Sequence, residues 1–84
     1  MRAWKSAARL MPERKRDSER KLLSNLKEVR TRAGLTQAEL AELVEVSRKT
    51  INTVENGVFV PSTLLALKLA EALGTKVETL FELD

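Results

Sequence analysis

Apolar residues recur at helical spacing along most of the chain, in blocks separated by residues that start or stop helices. Leu22, Leu23, Leu26, Val29 and Ala33 keep this period, and Gly34 follows where a left-handed C-terminal cap is wanted, so a first helix is predicted from Leu22. Thr36 precedes QAELAELV with Glu39 three residues on. That is the capping-box pattern, in which a hydroxyl and a carboxylate each satisfy an orphan backbone N–H, and it predicts a second helix over 37–44. Ser47 is a further N-cap, and Ile51 and Val54 mark the buried stripe of a third helix that stops at Asn56-Gly57. Val58 to Val60 with Pro61 read as a loop, Ser62 caps TLLALKLAEAL, Gly74 ends it, and VETLFEL predicts a short fifth helix. The periods are all near 3.6, with no alternating strand pattern and no internal repeat.

Only a three- or four-residue turn separates helices two and three, and two short helices crossing at such a turn need particular residues at the crossing. Leu40 and Val44 face inward from the second helix, Ala41 is small where the axes come closest, Val46 plugs the turn, and Ile51 and Val54 bury the third helix. Ser47, Arg48, Lys49, Asn52 and Thr53 are left facing outward. Their chemistry suits base edges: Arg binds guanine O6/N7 bidentately, Lys reaches guanine or phosphate, Asn pairs with adenine, and a Thr methyl touches thymine.

The segments TQAELAELVEVSRKTINTVENG, PSTLLALKLAEALG and VETLFEL together resemble the phage-repressor or XRE (Cro/cI-type) family of DNA-binding domains, and the likeness covers residues 22–84. The resemblance implies an all-α, five-helix lambda-repressor-like domain with its helix-turn-helix at helices 2–3. It further implies a recognition helix over 47–56 in the major groove and a two-fold dimer on a palindromic operator with half-sites one helical turn apart. By position, Arg48, Lys49 and Thr53 match the family's main base-reading places, with Ser47 and Asn52 beside them. Gln37 resembles the family's phosphate-contacting Gln, and Asn56 begins the loop whose amides face phosphate. Glu45 departs from the pattern, because it stands in the turn where Gly is commonest; a left-handed backbone there is strained by roughly 1 kcal/mol.

Self-association has its own candidates. Leu65, Leu69 and Leu73 with Ala66 and Ala70 form the inward stripe of the fourth helix, which leaves Leu64 outside. Val77, Leu80, Phe81 and Leu83 are more apolar groups than a final helix of this size is expected to hide alone. Leu64, Val77, Leu80, Phe81 and Leu83 are therefore the expected dimer interface, against the simpler reading that the last helix lids the core.

Composition narrows the function further. Of 84 residues, 43% are apolar and 32% charged, a globular balance, and one small domain is all that this length allows. Without Cys or His the chain has no thiolate nucleophile, no usual zinc ligand and no near-neutral proton shuttle, so no enzyme, cofactor or metal site is expected. The net charge of +3 is unevenly placed: residues 1–21 hold 8 basic and 3 acidic residues, a net +5, while 22–84 hold 7 and 9, a net −2. Residues 1–21 are expected to be a basic, flexible arm and 22–84 the domain. No signal-peptide or membrane-spanning run is present, which predicts a cytoplasmic, nucleoid-associated protein, although the Arg-rich start has some likeness to an organellar presequence. The expected function is a small sequence-specific transcriptional regulator, most readily a repressor, that binds double-stranded DNA as a homodimer. The alternative is an antitoxin paired with a toxin, or a protein-interaction or coactivator module on the same fold.

Overall fold

The computed structural model describes residues 16–84. A 3-10 turn (Asp17–Glu19) leads into β1 (Leu22–Ser24), followed by α1 (Leu26–Arg32), α2 (Gln37–Leu43), α3 (Arg48–Glu55), α4 (Thr63–Leu73), α5 (Val77–Leu80) and β2 (Phe81–Leu83). The arm expected over residues 1–21 lies, up to residue 15, outside the described residues.

Three helices begin where a side-chain oxygen relieves the first turn. The Thr36 hydroxyl accepts from the Glu39 N–H at 3.0 Å while the Glu39 carboxylate accepts the Thr36 N–H at 2.8 Å, which is the reciprocal box expected at the start of α2. Ser47 and Ser62 cap α3 and α4, each accepting an N–H at 3.1 Å from three residues on. The helix ends repeat one motif. At the end of α4 the Gly74 and Thr75 N–H groups bond back to Glu71 and Ala70 carbonyls, with Gly74 left-handed, and α3 closes in the same way through Gly57 and Val58. At the end of α2 the same pair of bonds runs from Glu45 to Glu42 and from Val46 to Ala41. Glu45 thus takes the left-handed place, with φ 59°, at the turn position where the family most often has Gly.

Each helix supplies a fully buried side chain to one core: Leu26 from α1, Leu40 from α2, Ile51 and Val54 from α3, Leu69 from α4 and Leu80 from α5. Val46 packs against this core from the turn, and Ala41 is buried at the crossing of α2 and α3.

The two ends of the domain depart from the all-helical expectation. The first helix begins at Leu26 rather than Leu22, and the last stops at Leu80. The residues left over, Leu22–Ser24 and Phe81–Leu83, pair as an antiparallel ribbon in the register Leu22↔Leu83, Leu23↔Glu82, Ser24↔Phe81. Asn25 ties the corner, its N–H donating to the Leu80 carbonyl at 2.7 Å and its Nδ2 to the Glu82 carboxylate at 2.9 Å. Beyond the ribbon, the Asp84 N–H donates to the Lys21 carbonyl and the Lys21 N–H to the Asp84 carboxylate. Each strand finds its hydrogen-bond partners in a segment some 60 residues away, a pairing to which local spacing is blind.

The ribbon also corrects the burial expected at the C-terminus. Leu80 is 0% and Phe81 7% exposed, so both are core groups of the single chain and not free surface. Phe81 turns inward because the chain becomes extended at that residue, which sends Glu82 to the opposite face. Leu64 and Leu83 stay open, at 64% and 54%, and Val77 is half-buried against the core.

Candidate nucleic-acid interface

The turn at 44–47 brings α2 and α3 together tightly, and this contact sets the orientation of the outward face of α3. Arg48 and Lys49, in its first turn, are exposed and make no ion pair among the described residues. Ser47 is spent largely on structure: its hydroxyl accepts the Thr50 N–H and lies 3.0 Å from the Thr50 hydroxyl. Thr53 turns its hydroxyl to the Thr50 carbonyl at 2.9 Å, which leaves the methyl as its uncommitted group. Asn52 and Asn56 are exposed one turn apart, with Asn56 Nδ2 at 3.4 Å from Asn52 Oδ1. Gln37, at the first position of α2, joins them by donating Nε2 to Asn52 Oδ1 at 3.2 Å. The seven residues singled out from sequence therefore form one surface across two helices. Its cationic part is Arg48 and Lys49, and its amide part is Gln37, Asn52 and Asn56.

Under the amide part lies an ion pair that the sequence reading missed. Arg30 of α1 forks onto Glu55 at the end of α3, with Nε donating to Oε2 and Nη2 to Oε1 at 3.3 Å, and its Nη1 reaches the Leu35 carbonyl at 2.8 Å. The side chains are 11% and 1% exposed, so this is a largely desolvated pair with fork geometry, in which removing one partner strands the other charge. Gln37 Nε2 donates to the same carboxylate at 2.9 Å. A signal was present: Arg30 and Glu55 each stand four residues after a fully buried residue, Leu26 and Ile51, so two inward stripes carry opposite charges. Glu45 makes a distant 3.9 Å contact with Lys68 and is otherwise exposed, a geometry worth little in water.

No helix among the described residues is long and apolar enough to cross a membrane. The helix-turn-helix family matches residues 26–80, which leaves both strands of the ribbon outside the match. The chain is 44% identical over 61 residues to YgzD, an uncharacterized HTH-type transcriptional regulator of Bacillus subtilis (strain 168), a span of 73% of this chain and 92% of that one. An uncharacterized HTH-type transcriptional regulator of Methanothermobacter thermautotrophicus is 48% identical over 60 residues, 70% of this chain and 87% of its own. Among solved structures, the restriction-modification controller protein C.AhdI from Aeromonas hydrophila is similar with a TM-score of 0.60 and 40% identity, over 63% of this chain and 80% of that one. The clp gene regulator ClgR from Corynebacterium glutamicum gives 0.62 and 33% identity over 64% of this chain, which corresponds to 57% of ClgR. On these grounds the chain belongs to the XRE-type helix-turn-helix family of transcriptional regulators.

Proposed function

We propose that the protein binds double-stranded DNA sequence-specifically as a small transcriptional repressor, with α2 and α3 as its helix-turn-helix and α3 in the major groove. The observation that carries this reading is the outward face of α3, where Arg48 and Lys49 stand exposed on a helix packed against α2. A repressor needs no chemistry: occupying the operator excludes other proteins. Arg48, Lys49, Asn52 and Thr53, with Ser47 at the helix start, face the bases, and Gln37 and Asn56 line the phosphate side. Such a protein works in the cytoplasm, at the nucleoid.

The proposal includes a dimer on a palindromic operator. Exposed large apolar side chains include those of the loop Val58–Val60 and Leu64 and Leu67 of α4, with Leu83 on β2, Leu23 on β1 and Leu43 on α2 also exposed. An open groove of about 750 Å³ is lined in part by Val60, Leu67 and Val77. A second copy covering Leu64 and Val77 would supply a second α3, and two half-sites raise affinity far above what one short helix supplies.

Selection of bound sequences from a random DNA pool tests the whole reading. The expected result is a two-fold symmetric motif with half-sites about one helical turn apart. A pool that enriches no motif overturns DNA reading, and an enriched but asymmetric single site overturns the palindromic dimer. On the selected site Arg48→Ala should cost about 1–3 kcal/mol and relax discrimination at one base pair of each half-site. Equal weakening on every sequence would instead move Arg48 to the phosphates.

A further inference from the structure

A carboxylate accepts hydrogen bonds and donates none, so the buried Glu55 dictates the orientation of the amides bonded in succession to it. Arg30 holds both of its oxygens, and the next neighbour is Gln37 Nε2, 2.9 Å from Oε1. Only the nitrogen of the Gln37 amide fits that place, because its oxygen would meet the carboxylate lone pair to lone pair. The same nitrogen reaches Asn52 with its other hydrogen at 3.2 Å, and the atom it meets must accept, so Asn52 Oδ1 is turned inward. Asn56 Nδ2 approaches that oxygen as well. Both lone pairs of the Asn52 carbonyl are engaged within the protein. Its Nδ2 carries two hydrogens, has no acceptor among the described residues, and is the part of this amide left to the exposed face.

We propose that Asn52 is a donor-only contact, with its polarity set by Glu55 through Gln37. It meets a hydrogen-bond acceptor on DNA, either the O6/N7 edge of guanine or a phosphate oxygen, and does not make the donor-and-acceptor pair with adenine open to an unconstrained asparagine. Glu55 touches no DNA and acts as a positioning residue. The inference rests on α3 facing DNA, and it states what that face demands at one position. It also makes Glu55→Gln, of nearly unchanged shape, a change of polarity. With the new amide's oxygen facing Arg30, its nitrogen faces Gln37; Gln37 turns over, and Asn52 follows to present its oxygen outward.

Two measurements on the full chain test this. In the free protein, NMR exchange of side-chain amide hydrogens with water should be slow for Gln37 Nε2 and fast for Asn52 Nδ2; the reverse order, or a fast Gln37, overturns the relay. Selection from a random DNA pool is then run on the wild type and on Asn52→Ala, Asn52→Asp and Glu55→Gln. A wild type that enriches no motif overturns the DNA reading and the Asn52 contact with it, and the exchange order separately judges the relay. Where a motif is enriched, Asn52→Ala should weaken binding to it roughly 5- to 100-fold. Asn52→Asp should weaken it more, because a negative acceptor then faces an acceptor. Loss of preference for one G·C pair per half-site assigns the guanine edge, and in that case Glu55→Gln should shift preference at that same pair and at no other. Uniform weakening on every sequence assigns a phosphate, and Glu55→Gln should then weaken all sites alike. Wild-type affinity and motif in both Asn52 variants overturn the proposal, as does loss of a preference for an A·T pair. The Asn52 variants lie on the surface, so the test survives a Glu55→Gln protein that fails to fold.

Discussion

Glu45 occupies, at the end of α2, the left-handed place that Gly57 and Gly74 occupy at the ends of α3 and α4, and a side chain there meets a backbone conformation it disfavours. Its long contact with Lys68 offers little in return. Glu45→Gly should therefore stabilise the protein by about 1 kcal/mol, the strain relieved being partly offset by the freer unfolded chain. Urea unfolding reads this directly, with Glu45→Ala as the control that removes the carboxylate and keeps the strain; equal stability of the two variants would show that φ is not the cause. The position was legible only through the resemblance, because Glu45 stands in the turn where the family most often has Gly. The caps at Thr36, Ser47 and Ser62 were legible from local spacing, as each bond spans three residues. For Arg30 and Glu55 spacing marks an inward charge on each helix but not their pairing: the bond joins residues 25 apart and depends on how α1 crosses α3, which periodicity does not specify.

Between elements, the same limit separates the helices from the ribbon. Every helix with its own caps and stripe was readable, whereas Leu22–Ser24 and Phe81–Leu83 become strands only because each meets the other. Three residues are too few to display alternation, and Leu22, Leu23 and Leu26 satisfy helical spacing as well as they satisfy any other. The consequence falls on Phe81, which reads as a surface group on a seven-residue helix and is a core group on a strand. Phe81→Ala should cost about 3–5 kcal/mol, as the loss of a buried aromatic does. Leu83→Ala, on the same strand but exposed, should cost well under about 1 kcal/mol. Thermal unfolding of the pair checks this, and a Phe81→Ala protein as stable as Leu83→Ala would remove Phe81 from the core. Being buried, Phe81 is unsuited to probing self-association, whereas Leu64 is exposed: sedimentation should find Leu64→Glu monomeric, and a persisting dimer would move the interface off α4.

At the scale of the whole molecule, most of the net positive charge belongs, along the sequence, to residues that precede the helices proposed to read DNA. Residues 22–84 carry −2, with only Arg48 and Lys49 on the outward face of α3, and the +5 lies in residues 1–21. On the proposed function the labour would be divided, with the helix-turn-helix discriminating by hydrogen bonds and the segment before the domain adding attraction that is blind to sequence. Deletion of residues 1–15 isolates that contribution, because the cut spares the Lys21–Asp84 hydrogen bonds that close the ribbon. It removes five basic residues, Arg2, Lys5, Arg9, Arg14 and Lys15, and one acidic residue, Glu13. Affinity for the selected site should fall, with the same bases preferred. The plot of log affinity against log salt should become shallower by about 0.9 for each phosphate the segment had neutralised. An unchanged slope would mean that these residues never reach the duplex. A changed motif would mean that the segment reads bases itself, as an arm entering the minor groove does.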